Sequence, residues 1–191
     1  MAGHELIAAQ IAVLARRLPA PAVEELSDGL EETYEAHLAE LGDPDAAARA
    51  ALAAFGDAET IAAAFVRASP WRRTARALLA TGPLMAVIWA ATLIAGQAWT
   101  WPIPWPVKLA FGVTLTAVAA LLATAGLARG AYRRGRAATL AGMAGLVVLD
   151  GLMVTAALAA AGWAWPTAAA ISASVIRMVA AARALPAARA A

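Results

Sequence analysis

Two charges in this chain stand where hydropathy alone would place none. Between Arg136 and Arg177 lie 40 residues interrupted by a single charge, Asp150. A charged side chain at mid-bilayer costs about 2.5–3.5 kcal/mol on insertion scales, so it is normally paired, hydrated or functional. An apolar stretch of that length must fold back, because one span needs only about 20 residues. Gly162-Trp163-Ala164-Trp165-Pro166 supplies the turn. Asp150 and Arg177 each lie about 13 residues from its centre, or roughly 20 Å at 1.5 Å per residue, and so at equal depth. The spacing predicts a direct or water-bridged ion pair, with the arginine fork reaching both carboxylate oxygens. Two other readings stay open: a proton or ion pathway with Asp150 open to water, and Arg177 snorkelling inward to the surface.

The second group of chemistry-bearing residues is acidic. Glu24, Glu25, Asp28, Glu31, Glu32 and Glu35 share one face of a helix. Helical side chains radiate outward and lack the folded-back loop that calcium requires. The run therefore reads as a solvated face or as a surface for a basic partner. His4 and His37 are the only histidines, and there is no cysteine. Thiolate sites, disulfides and histidine-rich metal sites are thereby excluded. His4-Glu5 has no second histidine at the zinc spacing, and His37, one turn from Tyr34 and Leu41, reads as a half-buried packing residue. The apolar half offers one acid, no histidine and no cysteine, short of any nucleophile–base pair or paired acids. No catalytic residue, metal or cofactor is expected, and the chain does not read as an enzyme.

Composition explains where these groups must sit. Of the 191 residues 62% are hydrophobic, 59 of them alanine, and only 15% are charged. The mean hydropathy of +0.68 arises from long runs without charge, the mark of a membrane protein. The net charge of +2 conceals a division. Residues 1–66 hold twelve acids and three bases, a net −9, whereas residues 67–191 hold twelve bases and one acid, a net +11. The bases flank apolar runs, and the acidic half would repel a phosphate backbone, so direct nucleic-acid binding is not expected. The first residues lack the basic region of a signal peptide.

The acidic half divides into helices by its punctuation. Leu6-Ile7, Ile11, Leu14 and Leu18 form one stripe. Pro19-Ala20-Pro21 ends that helix and starts a second, with Val23, Leu26, Leu30, Tyr34, Leu38 and Leu41 on its apolar face. Gly42 followed by Asp43-Pro44, and then Gly56-Asp57, mark two further helix starts. The expected architecture is all-α: a small cytoplasmic bundle of three or four helices over 1–70, then a four-helix transmembrane bundle over 71–191.

The strings Leu18-Pro19, Val23-Glu24-Glu25-Leu26, Glu35-Ala36-His37-Leu38, Ala51-Leu52-Ala53-Ala54-Phe55-Gly56-Asp57 and Thr60-Ile61-Ala62 resemble a HAAS domain, also called a permease prefix domain. The resemblance covers roughly residues 5–68, and the module is a helical unit at the cytoplasmic N-terminus of bacterial membrane proteins. It implies a regulatory or interaction module that names no catalytic residue. Proteins bearing it often occur beside PadR-type transcriptional regulators, or carry it ahead of ABC-type permease domains.

In the basic half, 31 uncharged residues separate Arg76 from Lys108, and 20 separate Lys108 from Arg129. With the 40-residue hairpin these give four spans near 77–98, 106–128, 137–161 and 165–185. Arginines gather before the first span, between the second and third, and after the fourth, so positive-inside reasoning puts both termini in the cytoplasm of an inner membrane. Trp99, Trp101, Trp105, Trp163 and Trp165 fall on the opposite side as interface anchors. Arg72, Arg73, Arg76, Arg133, Arg134 and Arg136 are expected to contact anionic lipids, each worth about 1 kcal/mol. Gly142, Gly145, Gly151 and the segment Gly126 to Gly130 would allow close helix approach. Small-residue spacings arise by chance, however, in a chain with 59 alanines.

Two functions follow as expectations. One is a membrane regulatory protein whose acidic domain binds a cytoplasmic protein, such as a PadR-type regulator, with anionic lipid competing for the arginines. The alternative is a small transporter or an accessory subunit of an ABC-type permease, suggested by Asp150 and Arg177.

Overall fold

A computed structural model describes residues 2–128, 132–160 and 165–190. Among them every long element is an α-helix. The described residues group into two compact units, one built from 1–68 with 128–134 and the other from 69–127 with 135–191.

The first unit contains α1 (Ala2–Arg17), α2 (Ala20–Leu41), α3 (Pro44–Phe55) and α4 (Ala58–Ala68). Each boundary has a local cause. Proline opens α2 and α3 in the first helical turn, where its missing N–H is not needed. Gly42 takes φ +67, a left-handed value, and its N–H closes on the Leu38 carbonyl. Asp43 accepts from the Asp45 amide at 3.1 Å, and Asp57 accepts from the Thr60 amide at 3.0 Å, each satisfying a donor that the helix start leaves open. The core forms around Ile7, Leu30, Ala48 and Ala51, and around Leu14, Leu18, Ala58 and Ala62. The α1 stripe is narrower than its spacing suggests, because Leu6 is exposed. Leu41, the last residue of α2, is exposed as well.

Among the described residues four helices are long and apolar enough to cross a membrane, over 70–95, 105–127, 132–159 and 165–189, and apart from residues 132–134 they belong to the second unit. The first consists of α5 (Pro70–Ala80) and α6 (Gly82–Ala95), broken at Thr81. Pro83 lacks the N–H that would close on Leu79, and Gly82 weakens the same turn. This helix begins seven residues before the expected 77, because Ser69-Pro70 starts it and Arg72, Arg73 and Arg76 fall within its first two turns. A short 3-10 turn at Ala98–Thr100 leads to α7 (Trp105–Leu127), followed by α8 (Tyr132–Ala160) and α9 (Trp165–Ala190). The turn expected over 162–164 lies outside the described residues.

Glycines set how closely α7 and α8 approach. A Cβ on Gly142 would meet Leu122 Cδ2 at 2.7 Å, and one on Gly145 would collide with Val118. Gly151 faces open space, with nothing within 4 Å of an added Cβ. Gly145→Leu should therefore destabilise the protein by about 1–3 kcal/mol through overpacking. Gly151→Ala should be neutral or stabilising by up to about 1 kcal/mol. Unfolding of the purified protein by SDS titration, followed by circular dichroism, distinguishes the two.

Candidate functional site

The buried polar cluster is assembled by three helices. Asp150 lies on α8, ten residues before its end at Ala160, and is 2% exposed. Arg177 lies on α9, twelve residues after its start at Trp165. Its Nε donates to Asp150 Oδ2 at 2.8 Å and its Nη2 to Oδ1 at 2.5 Å. The guanidinium thus lies side-on to the carboxylate and satisfies both oxygens, the strongest geometry available to this pair.

Two partners extend the cluster that the sequence did not reveal. Ser174 Oγ donates to Asp150 Oδ1 at 3.3 Å, and Trp89 Nε1 on α6 donates to Ser174 Oγ at 3.2 Å. Ser174 stands three residues before Arg177, so both point from one face of α9. That spacing was the available signal. The α6 contribution left no signal, since nothing in the sequence gives the rotation of α6 about its axis. Apolar side chains seal the neighbourhood: Met85, Trp89, Ala157 and Ala170 form a buried group beneath Ile88, Met153 and Val154. About one turn after Trp89 on α6, Thr92 is fully buried and donates to the Pro166 carbonyl at 3.0 Å.

The arrangement can hold charge but offers little for reaction. Both carboxylate oxygens are engaged, the acceptor Ser174 is supplied with a donor, and the Arg177 side chain is only 16% exposed. Among the described residues no three His, Cys, Asp or Glu side chains converge on a metal position.

The arginines are placed unevenly. Arg72 is buried, and its Nε donates to the Gly126 carbonyl at 3.2 Å. Arg76 Nε reaches the same carbonyl at 3.0 Å. Arg136 Nε donates to the Ala188 carbonyl at 3.0 Å, and its Nη2 to that of Arg189. These acceptors lie in the last turns of α7 and α9, where carbonyls lack helical partners and the helix dipole is negative. By sequence these three side chains are expected against anionic headgroups; the structure uses them as helix caps. Arg73, Arg133 and Arg134 are exposed.

Of the tryptophans, Trp99, Trp105 and Trp165 are exposed. Trp101 is half-buried, with its indole N–H on the Gly96 carbonyl at 3.0 Å, and Trp163 lies outside the described residues. All six acids of α2, Glu24, Glu25, Asp28, Glu31, Glu32 and Glu35, are exposed. His37 is half-buried, with Nδ1 3.6 Å from Glu40, and the His4 ring stands edge-on to Tyr34 at 6.1 Å.

Comparison with known proteins finds no matching family model, no matching curated protein and no matching solved structure.

Removing one partner of a buried pair leaves an uncompensated charge, so Asp150→Leu and Arg177→Met should each cost about 3–5 kcal/mol. The double variant should regain most of that loss, because a well-packed apolar pair removes both desolvation penalties. SDS unfolding of the four proteins forms the cycle. Additive losses would mean that the two side chains do not act as a pair.

Proposed function

We propose that the chain is an integral membrane regulatory protein of a bacterial inner membrane, with its N-terminal helical unit serving as a cytoplasmic docking module for a basic protein partner. A PadR-type transcriptional regulator is the partner that the HAAS resemblance implies. The observation that carries this reading is the exposure of all six acids along one side of α2, while Leu30 on its other side is fully buried in the core. A helix that anchors a core with one face leaves the other free for a partner, and charge of one sign selects a partner of the opposite sign. Four apolar helices of 23 to 28 residues support membrane placement. The arginine distribution supports cytoplasmic termini.

The transport alternative draws on Asp150, an acid within apolar helices. A carboxylate that carries protons or ions needs access to water, whereas here Arg177 engages both of its oxygens. That geometry favours a role in helix register over a pathway.

The test uses the full-length protein in nanodiscs as bait, beside a variant carrying Glu24→Gln, Glu31→Gln and Glu35→Gln. The expected result is capture of a basic protein at about 0.1 M salt that the variant loses, and that about 1 M salt abolishes, where the screening length falls to roughly 3 Å. Capture that is indifferent to both changes would overturn the docking reading, as would no capture at all.

A further inference from the structure

The first apolar span is fastened differently along its two halves. The first half, α5, is held by charge, with Arg72 and Arg76 donating from Nε to the Gly126 carbonyl of α7 at 3.2 and 3.0 Å. The second half, α6, buries one stripe, Met85, Trp89 and Thr92, and leaves Leu84, Val87 and Ile94 exposed. Thr81-Gly82-Pro83 stands between them. Pro83 leaves the Leu79 carbonyl without its helical donor. The Met85 amide still closes on the Thr81 carbonyl at 3.1 Å, and the Thr81 hydroxyl donates to the Leu78 carbonyl at 2.8 Å. The joint therefore weakens one turn without severing the chain of helical bonds, and bending concentrates there.

Among the described residues two neutral hydrogen bonds tie α6 to α9, and α9 loses little when they open. Thr92 has one hydroxyl proton and two acceptors at 3.0 Å, the Ile88 carbonyl of its own helix and the Pro166 carbonyl of α9. If α6 withdraws, that proton stays on Ile88. Ser174 accepts from the Trp89 indole but donates to Asp150, so it keeps its own bond when Trp89 leaves. The Asp150–Arg177 pair meanwhile binds α8 to α9 through two charge-assisted bonds. Within this cluster the attachment of α6 is the weakest.

The far end of α6 carries a loop folded onto the helix. Gln97 takes φ +47, a left-handed value uncommon outside glycine. The Trp101 indole N–H caps the Gly96 carbonyl at 3.0 Å, and the Thr100 hydroxyl donates to the Gln97 carbonyl at 2.8 Å. These bonds make the loop move with α6, and they leave Trp99 66% exposed. Indole rings favour the headgroup level, so the loop ties the end of α6 to that level.

We propose that α6 is a lever that responds to bilayer thickness. It pivots at residues 81–83, is carried at its far end by Trp99, and withdraws Trp89 and Thr92 from α9 when the bilayer thins. A helix too long for its bilayer answers by tilting. The joint lets this half tilt while α5, α8 and α9 keep their places. The proposal rests on the membrane placement of these helices and is independent of the docking role of α2.

The chain has no cysteine, so introduced pairs can be spin-labelled in the full-length protein without competition. One pair, Ile94→Cys with Ala169→Cys, spans α6 and α9 at exposed positions. The reference pair, Leu152→Cys with Ile176→Cys, is exposed beside the ion pair on α8 and α9. Dipolar electron paramagnetic resonance reads both distances in nanodiscs of dimyristoyl and of dierucoyl phosphatidylcholine. The 94–169 distance should lengthen by about 4 Å in the thinner lipid, the displacement of a roughly 15° tilt acting over about 17 Å of helix. The 152–176 distance should stay fixed, and Pro83→Ala, which restores the missing bond, should abolish the lengthening. An unchanged 94–169 distance would overturn the proposal, as would an equal change in the reference pair. Lengthening that persists in Pro83→Ala would remove the pivot from residues 81–83 and overturn it as well. A single label at Val87 relaxed more by a water-soluble nickel complex than by oxygen would remove the membrane placement, and the lever with it.

Discussion

A carboxylate buried among apolar helices must be held from more than one side, and Asp150 imposes that requirement on α6, α8 and α9 together. Desolvation offsets most of the Coulomb gain of a buried pair, so its main consequence is geometric. Turning α9 by one residue would move Arg177 by about 100° around the helix axis and leave the carboxylate without its partner. The same turn would remove Ser174, and with it the acceptor for the Trp89 indole. The small contacts nearby then follow, with Ala157 and Ala170 letting α8 and α9 approach while Met85 and Trp89 fill the space between. A bundle of near-featureless apolar surfaces acquires one preferred register from one acid.

The same accounting of polar groups governs the arginine-rich ends of the helices. A helix that stops leaves four carbonyls without intrahelical donors, and in an apolar setting each is costly. For α7 and α9 the donors come from neighbouring helices, Arg72 and Arg76 on Gly126 and Arg136 on Ala188. Guanidinium carries five N–H groups, so an arginine whose Nε caps a helix retains others. Capping and attraction to anionic surfaces are therefore compatible in Arg76 and Arg136, while burial of Arg72 commits it to the cap.

Much of this was legible in the sequence because it depended on distance along the chain. The four apolar helices follow from the spacing of charges, and the common level of Asp150 and Arg177 follows from their equal separation from a turn. The N-terminal helix boundaries follow from Pro, Gly and Asp, whose backbone preferences are local. Features that depend on rotation about a helix axis were hidden. Ser174 and Trp89 join the cluster because their faces meet, and periodicity is uninformative in helices that are apolar all round. Arg72 reads as a flanking charge until α5 is known to begin at Pro70, which places that side chain within a helix and beside the end of α7. Gly151 reads like Gly142 and Gly145, yet only the latter two face a neighbouring helix.

The N-terminal unit is organised by a different constraint. Its core is largely alanine, with Ala47, Ala48, Ala51, Ala58 and Ala62 buried beside a few larger side chains. A buried methylene contributes only about 0.8 kcal/mol, so such a core draws modestly on the hydrophobic effect and gains chiefly close helix approach. At Gly3 an added Cβ would stand 2.5 Å from the Pro44 carbonyl oxygen, which shows how closely α1 and α3 are set. Capping and alanine's helix propensity must therefore supply more of the stability. Against that background the acidic face of α2 is costly. Glu24 and Asp28, Asp28 and Glu32, and Glu31 and Glu35 are like-charged pairs one turn apart, each unfavourable by about 0.2–0.5 kcal/mol. Nothing in the core requires acids there, since the packed side of α2 is formed by Val23, Leu26, Leu30 and Tyr34. A basic surface brought against this face would relieve the repulsion as well as add its own attraction, so binding and stabilisation of the unit would proceed together.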